Sequence, residues 1–209
     1  MRRFSKNYAE EGIIVLFTAL TSTFSVILSF VGYDVLINPT YAAEVLLYYL
    51  YTYSQYTKRD PLTKLFNRQT FNRYMKRKER MVSGIISIDM KELKWINDTM
   101  GHDEGDKAIK KIAECILQPT TTRETVYRVG GDEFIVICCH GDQNHIEQLV
   151  FKMRSSVDAS GYSCAFGICC DNNKSLEDMI KEADRMMYKD KAKIKEEAAA
   201  MGKELHFRT

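Results

Sequence analysis

Apolar and polar positions along the chain follow two regimes that meet near residue 58. From Gly12 to Tyr33 there is no charged residue, and the run is rich in Ile, Val, Leu and Phe. That is the length a membrane-spanning helix needs. Arg2, Arg3 and Lys6 precede the run, as the positive-inside rule expects of a cytoplasmic end. Asp34 to Pro39 reads as a short turn, and Tyr41 to Tyr56 is a second apolar stretch with six tyrosines and one acid, Glu44. Lys58 and Arg59 close it on the same side. The pattern predicts a helical membrane hairpin over 1–58 with both ends in the cytoplasm, anchored in the inner membrane. The second segment is short and polar enough to be an interfacial or signalling helix. A buried soluble helix pair is the competing reading of both. A cleaved signal peptide fits poorly, because the run is long and no small-residue cleavage site follows it.

Beyond the junction the pattern turns mixed and charged. A helix is predicted over 67–79, with Phe71 and Tyr74 on one face, and a buried strand from Gly84 to Met90. Helical periods follow over 92–98 and 104–117, then a hairpin of strands over 125–129 and 134–139. A helix over 145–155, a strand over 162–170 and a helix over 176–197 complete the series. This order predicts an α+β domain over 59–209, with an antiparallel-containing central sheet and helices packed on one face.

Composition narrows the chemistry. A formal net charge of +2 gives no basic field for nucleic acid. Six cysteines include two adjacent pairs within strand-like runs, and none has C-x-x-C spacing. Reduced, buried thiols fit that arrangement better than disulfides or zinc.

The densest chemistry lies in Arg128-Val129-Gly130-Gly131-Asp132-Glu133-Phe134. Two glycines between strand-like runs predict a tight turn, with glycine supplying positive φ. A turn has no need of two adjacent acids. Paired carboxylates at a backbone-exposed tip suit a divalent cation and phosphate, although a solvated acidic loop would read the same way. Asp89, at the end of the predicted central strand, would bring a third carboxylate to them. Three converging carboxylates make a hard, all-oxygen site suited to Mg²⁺ rather than zinc. Such a site commonly clamps a nucleoside triphosphate and activates a hydroxyl for in-line attack.

Over roughly Asp60 to Glu196 the chain resembles the GGDEF-domain diguanylate cyclases. Asp60-Pro61-Leu62-Thr63-Lys64-Leu65-Phe66-Asn67-Arg68 resembles the family's opening motif. Asp89 to Lys94, Ile96-Asn97-Asp98, Gly101-His102 and Gly105-Asp106 resemble its metal and base-binding segment. Arg128 to Phe134 resembles its signature hairpin, and Ala183-Asp184 through Tyr188 and Lys191 its closing helix.

The resemblance implies a fold like the palm of polymerases and nucleotidyl cyclases. It implies condensation of two GTP into cyclic di-GMP, with release of pyrophosphate, by a homodimer holding one GTP per protomer. Asp89 and Asp132 would ligate Mg²⁺ (Mn²⁺ as a substitute), with the carbonyl of Met90 assisting. Glu133 would complete that site or help deprotonate the attacking hydroxyl. Asn97 and Asp106 would read guanine, Gly130 and Gly131 would let backbone approach the phosphates, and Lys94, Lys191 and Lys195 would offset their charge. His102, Trp95 and Tyr188 read as structural residues.

Three departures stand out. Lys91 replaces a second acid common in the family, Ile194-Lys195-Glu196 replaces a Gly-Arg-Asn ending, and Thr121-Thr122-Arg123-Glu124 lacks the arginine of the product-inhibition motif. The expectation is that no cyclic di-GMP inhibitory site exists there. A catalytically weak module that binds GTP or a partner is the alternative function. A cyclase of mixed purine specificity is disfavoured by Asp106.

Overall fold

The computed structural model describes residues 2–32, 37–56, 58–76, 82–171 and 173–200. The predicted helix end at 77–79 and residues 34–36 of the predicted turn lie outside them, while Ile37 to Pro39 of that turn prove to be helical. The chain divides into two units, Met1–Thr57 and Lys58–Thr209.

The first unit is a pair of helices, α1 (Arg2–Phe30) and α2 (Ile37–Tyr56). They meet along a polar seam. Thr21 and Ser22 donate to the two carboxylate oxygens of Glu44, both at 2.6 Å, and Ser25 donates to Thr40 at 3.4 Å. Ile13, Leu16, Phe17, Leu20, Phe24 and Ile27 of α1 are exposed, as are Val45, Leu46, Tyr49 and Leu50 of α2. Among the described residues no helix is long and apolar enough to cross a membrane. The expected spanning hairpin is therefore not supported. Physically, the apolar run of α1 is broken by hydroxyl residues, several of which bond back to carbonyls one turn earlier.

The second unit is the expected α+β fold, built on five strands in the order β1-β3-β4-β2-β5. These are β1 (Phe66–Asn67), β2 (Val82–Met90), β3 (Glu124–Arg128), β4 (Glu133–Cys139) and β5 (Cys164–Cys169). The helices are α3 (Arg68–Lys76), α4 (Leu93–Met100), α5 (His102–Leu117), α6 (Gln143–Ala159) and α7 (Leu176–Ala200). The sheet is mixed, because β1 runs parallel to β3 while the other pairings are antiparallel.

Strand β2 lies between β4 and β5 and is buried on both faces, which is why its apolar positions run together rather than alternate. Ile85, Ile86 and Ile88 are fully inaccessible, each contributing about 2 kcal/mol of burial free energy. One face of the sheet packs on Ile96, Ile109, Ile112, Ile116, Ile146 and Met153 from α4, α5 and α6. The other packs on Phe71, Met179 and Ala183 from α3 and α7. The prediction of helices on a single face is thus corrected: β2 has two apolar faces, and each needs cover.

Helix α7 approaches β5 closely. A Cβ on Gly167 would lie 2.0 Å from the Ala183 carbonyl oxygen and 2.2 Å from the Met187 nitrogen. All six cysteines are free thiols. Burial pushes Cys138 and Cys164 well above the ordinary thiol range and Cys170 up to about 11, so at neutral pH they are protonated packing groups.

Candidate active site

The pairing of β2 with β4 sets Asp89 directly opposite Glu133. Met90 N–H donates to the Asp132 carbonyl at 2.9 Å, pinning the turn that carries Asp132 to the end of β2. The turn itself closes when Val129 and Gly130 N–H donate to the Glu133 carbonyl at 2.9 and 3.3 Å. Its glycines do not serve as predicted. Among the described residues the glycines with positive φ are Gly32, Gly101 and Gly161, so Gly130 and Gly131 keep ordinary backbone angles. Gly130 instead lies close against Glu133: a Cβ there would lie 2.6 Å from its Oε2 and 3.1 Å from its Cβ, so that side chain would have to give way.

Asp89 is 6 % exposed, and its Oδ1 accepts from Lys191 Nζ at 2.7 Å. Lys191 and Asp89 are 102 positions apart in sequence, so α7 reaches over the sheet to deliver its ammonium. Glu133 is held above the ordinary carboxyl range by partial burial, then by the negative charges of Asp132, Asp89 and Asp184, with Arg68 opposing. Asp184, which also accepts from Ser87 Oγ, adds to this negative field from α7.

The expected convergence of three carboxylates is not what forms. Among the described residues no group of three or more His, Cys, Asp or Glu side chains stands close enough to hold a metal ion. Asp89 is turned toward Lys191 instead. The donor set still fits a hard divalent cation. Its atoms are oxygens, the site carries mutually repelling carboxylates, and a positive group already stands on Asp89.

Beside these groups opens a cleft of about 460 Å³, lined by Met90, Lys91, Glu92, Leu93, Lys94, Asn97, Asp98, His102, Gly131, Asp132 and Lys191. Six predicted site residues therefore share one cavity wall: Met90, Lys94, Asn97, Gly131, Asp132 and Lys191. Asp89, Glu133 and Gly130 flank it through the strand pairing and the turn. Asp106 and Lys195 do not line the cleft.

The Asn97 side chain lies close over Gly105. Gly101, at φ 92, breaks α4 from α5, and the turn folds Gly105 against the Asn97 side chain. A Cβ on Gly105 would fall 1.9 Å from Asn97 Oδ1. Asp106 is the next residue, exposed on the first turns of α5.

Two polar clusters escaped the sequence reading. Arg128 donates to Asp60 Oδ1 at 2.9 Å through Nη1, and to the Gly131 carbonyl at 2.8 Å through Nη2. One guanidinium thus ties the start of the domain to the turn bearing Asp132. Burial alone would raise the Asp60 carboxyl, but hydrogen bonds from Thr63 and Arg128 hold it below its ordinary value. The signal was available: Arg128 and Asp60 both fall within recognised motifs, though nothing in their spacing pairs them. The second cluster is Glu124, which is buried and accepts from Thr121 N–H and Oγ1 at 2.7 and 2.8 Å and pairs with His145 Nε2 at 2.9 Å. Burial opposes its ionisation, yet His145 and Thr121 lower its pKa. The carboxylate of the Thr121–Glu124 window is therefore directed into the fold.

The family model described as "Diguanylate cyclase, GGDEF domain" matches residues 57–197. Diguanylate cyclase DosC of Escherichia coli is 28% identical over 146 residues, covering 62% of this chain and 32% of that protein. Diguanylate cyclase DgcS of Shewanella oneidensis is 30% identical over 146 residues, covering 64% of this chain and 49% of that protein. The chain thus spans about a third to a half of the length of these relatives. Among solved structures, the coiled coil and GGDEF domain of DgcB from Caulobacter crescentus, in complex with c-di-GMP, aligns with a TM-score of 0.70. It is 22% identical, and the match covers 76% of this chain and 93% of that one. SiaD from Pseudomonas aeruginosa, in complex with its activator SiaC, aligns at 0.61 with 19% identity, covering 92% and 83%. At these identities the structural likeness concerns the fold.

Proposed function

The chain belongs to the GGDEF-domain diguanylate cyclase family, and from that premise we propose that it condenses two GTP into cyclic di-GMP with release of two pyrophosphates. The observation that carries the reading is the shared cleft. Asp132 and Lys191 line it, Lys191 being paired with Asp89, and Asn97 lines it from α4.

Each bond-forming step joins the 3′-oxygen of one GTP to the α-phosphorus of the other. The bond from that phosphorus to the pyrophosphate oxygen breaks, and the hydroxyl proton leaves to a base. Repeating the step in the opposite sense closes the ring. Asp89, Asp132 and the Met90 carbonyl would hold Mg²⁺, which when bound supplies charge neutralisation at the triphosphate and acidifies the attacking hydroxyl. Glu133, whose pKa is raised by burial and by its acidic neighbours, is suited to take the hydroxyl proton. Lys191 and Lys94 would neutralise phosphate oxygens, and Lys195, farther along α7, would act on the approaching substrate. Asn97, packed against Gly105, and Asp106 would select guanine, because adenine lacks the N1–H and N2–H₂ donor pair that an acid accepts from guanine. Gly131, with open space above it, would let phosphate approach the turn.

One cleft of this kind holds one nucleotide, so turnover calls for a homodimer. The proposed location is the cytoplasmic face of the inner membrane. The polar seam inside the helix pair and the apolar side chains outside it support that reading. The Thr121–Glu124 window, with its acid bound to His145, supports the absence of product inhibition there.

The test is incubation of the protein with GTP and Mg²⁺, with products identified by mass. Asp132→Ala should lower turnover by about a hundredfold or more, with the thermal transition little changed. A second reading, GTP binding without turnover, draws on the Lys191–Asp89 ion pair, which places an ammonium where a cation would bind. Nucleotide binding with no cyclic product at high protein concentration would favour it.

A further inference from the structure

Asp190 stands on α7 immediately before Lys191, and two other elements converge on it. Its Oδ2 accepts from Arg154 Nη2 of α6 at 2.8 Å and from Phe166 N–H of β5 at 2.8 Å. Strand β5 is at the edge of the sheet, so an outward N–H there has no further strand to meet, and the carboxylate satisfies it. The Arg154 guanidinium also lies over the Phe166 ring, 4.8 Å from its centroid. Asp190 therefore joins α7 to β5 and α6.

The next residue carries the consequence. Successive residues on a helix are turned by about 100°, so holding Asp190 fixes the direction in which Lys191 leaves α7. Lys191 reaches Asp89 at 2.7 Å. The close seat of α7 on Gly167 sets its height above the sheet, and the Asp190 contacts set its rotation.

We propose that Asp190 is a positioning residue of the cyclase site: anchored by Arg154 and the Phe166 N–H, it orients α7 so that Lys191 meets Asp89 and the triphosphate. The proposal rests on the cyclase reading only in taking Lys191 as a phosphate contact.

A double-mutant cycle on the full chain tests it, reading the Kd of a non-hydrolysable GTP analogue together with KM and kcat. Asp190→Ala should weaken analogue binding and raise KM by about five- to tenfold. Asp190→Asn keeps an acceptor for Phe166 N–H and should show a smaller loss. In a Lys191→Ala background, Asp190→Ala should cost no more than about twofold further, because the group it positions is gone. A full, additive loss in that background would overturn the proposal, as would unchanged binding in Asp190→Ala. If Asp190→Ala fails to fold, the cycle is run with Asp190→Asn and judged by the same non-additivity. Wild-type protein that binds the analogue but makes no cyclic product defeats the cyclase reading and leaves the binding cycle decisive. Wild type that binds no analogue overturns both.

Discussion

Two residues near the cleft carry opposite consequences for stability and affinity. Lys91 is buried, and its pKa of about 8 lies below the ordinary lysine value of 10.5. Between those values the unfolded chain holds more protons than the folded one, so stability rises with pH there. Below pH 8 the full penalty of the buried ammonium applies. Lys91→Met should therefore stabilise the fold by about 1 kcal/mol at pH 7. The gain should fade as pH rises from 8 to 10.5, as denaturant unfolding of both proteins at each pH would measure. A gain constant with pH would contradict the assignment. Gly105 works the other way. Ala is the better helix former by about 1 kcal/mol, so Gly105→Ala should not lower the melting temperature greatly. Its new methyl would nonetheless displace the Asn97 amide, whose oxygen lies 1.9 Å from the built Cβ position. KM for GTP should rise by about tenfold with kcat less affected, because a displaced hydrogen-bonding group costs discrimination at the base. Steady-state kinetics with GTP would show it. A fall in kcat alone would place Asn97 in a different role.

At the level of elements, the seat of α7 on β5 is the contact most exposed to a single methyl. On Gly167, a Cβ would meet backbone atoms of Ala183 and Met187 at 2.0 and 2.2 Å, and backbone cannot rotate away as a side chain can. Gly167→Ala should cost about 3 kcal/mol and weaken nucleotide binding through Lys191, read by thermal melting and analogue titration together. Loss of stability with unchanged binding would mean that α7 re-seats without moving Lys191. Which elements could be foreseen follows from where their signals lie. Strands β2 and β4 announce themselves as apolar runs, and α5 and α7 by their helical period. β1 could not be foreseen, because two residues, Phe66 and Asn67, carry no period; only their parallel register with Tyr127 and Arg128 makes them a strand. The turn at Gly130 and Gly131 lies where the sequence predicts it, but without positive φ; Gly130 lies close against the Glu133 side chain, while Gly131 has open space about it. The site divides in the same way. The motifs point to Asp89, Asp132, Asn97 and Lys191, and the structure gathers the last three around one cleft with Asp89 paired to Lys191. The ion pairs Asp60–Arg128, Arg154–Asp190 and Glu124–His145 are matters of tertiary approach, and no spacing in the sequence encodes them.

For the whole molecule, the proposed reaction sets a requirement that one chain would not meet. Its cyclic product would contain two guanylate units, and each protomer would bring one cleft of the described kind. Under that proposal two clefts face each other, and the rate depends on how often protomers pair. The Lys58–Thr209 unit carries the sheet, its two helical layers and the cleft, and should fold by itself. The helix pair of the Met1–Thr57 unit presents apolar side chains outward around an internal polar seam. Such a surface gains free energy from being covered, by lipid or by a second copy. Gathering chains on a membrane or in a helix assembly raises their effective concentration. The isolated 58–209 unit should therefore show specific activity that rises with protein concentration, close to proportionally while monomer predominates. The full chain in lipid vesicles should show specific activity nearly independent of total concentration and well above that of the isolated unit at the same dilution. Product formation per protomer, followed over a hundredfold dilution series of each form, separates the outcomes. Identical concentration dependence in the two forms would mean that the helix pair contributes nothing to pairing, and that the catalytic unit assembles through its own surface.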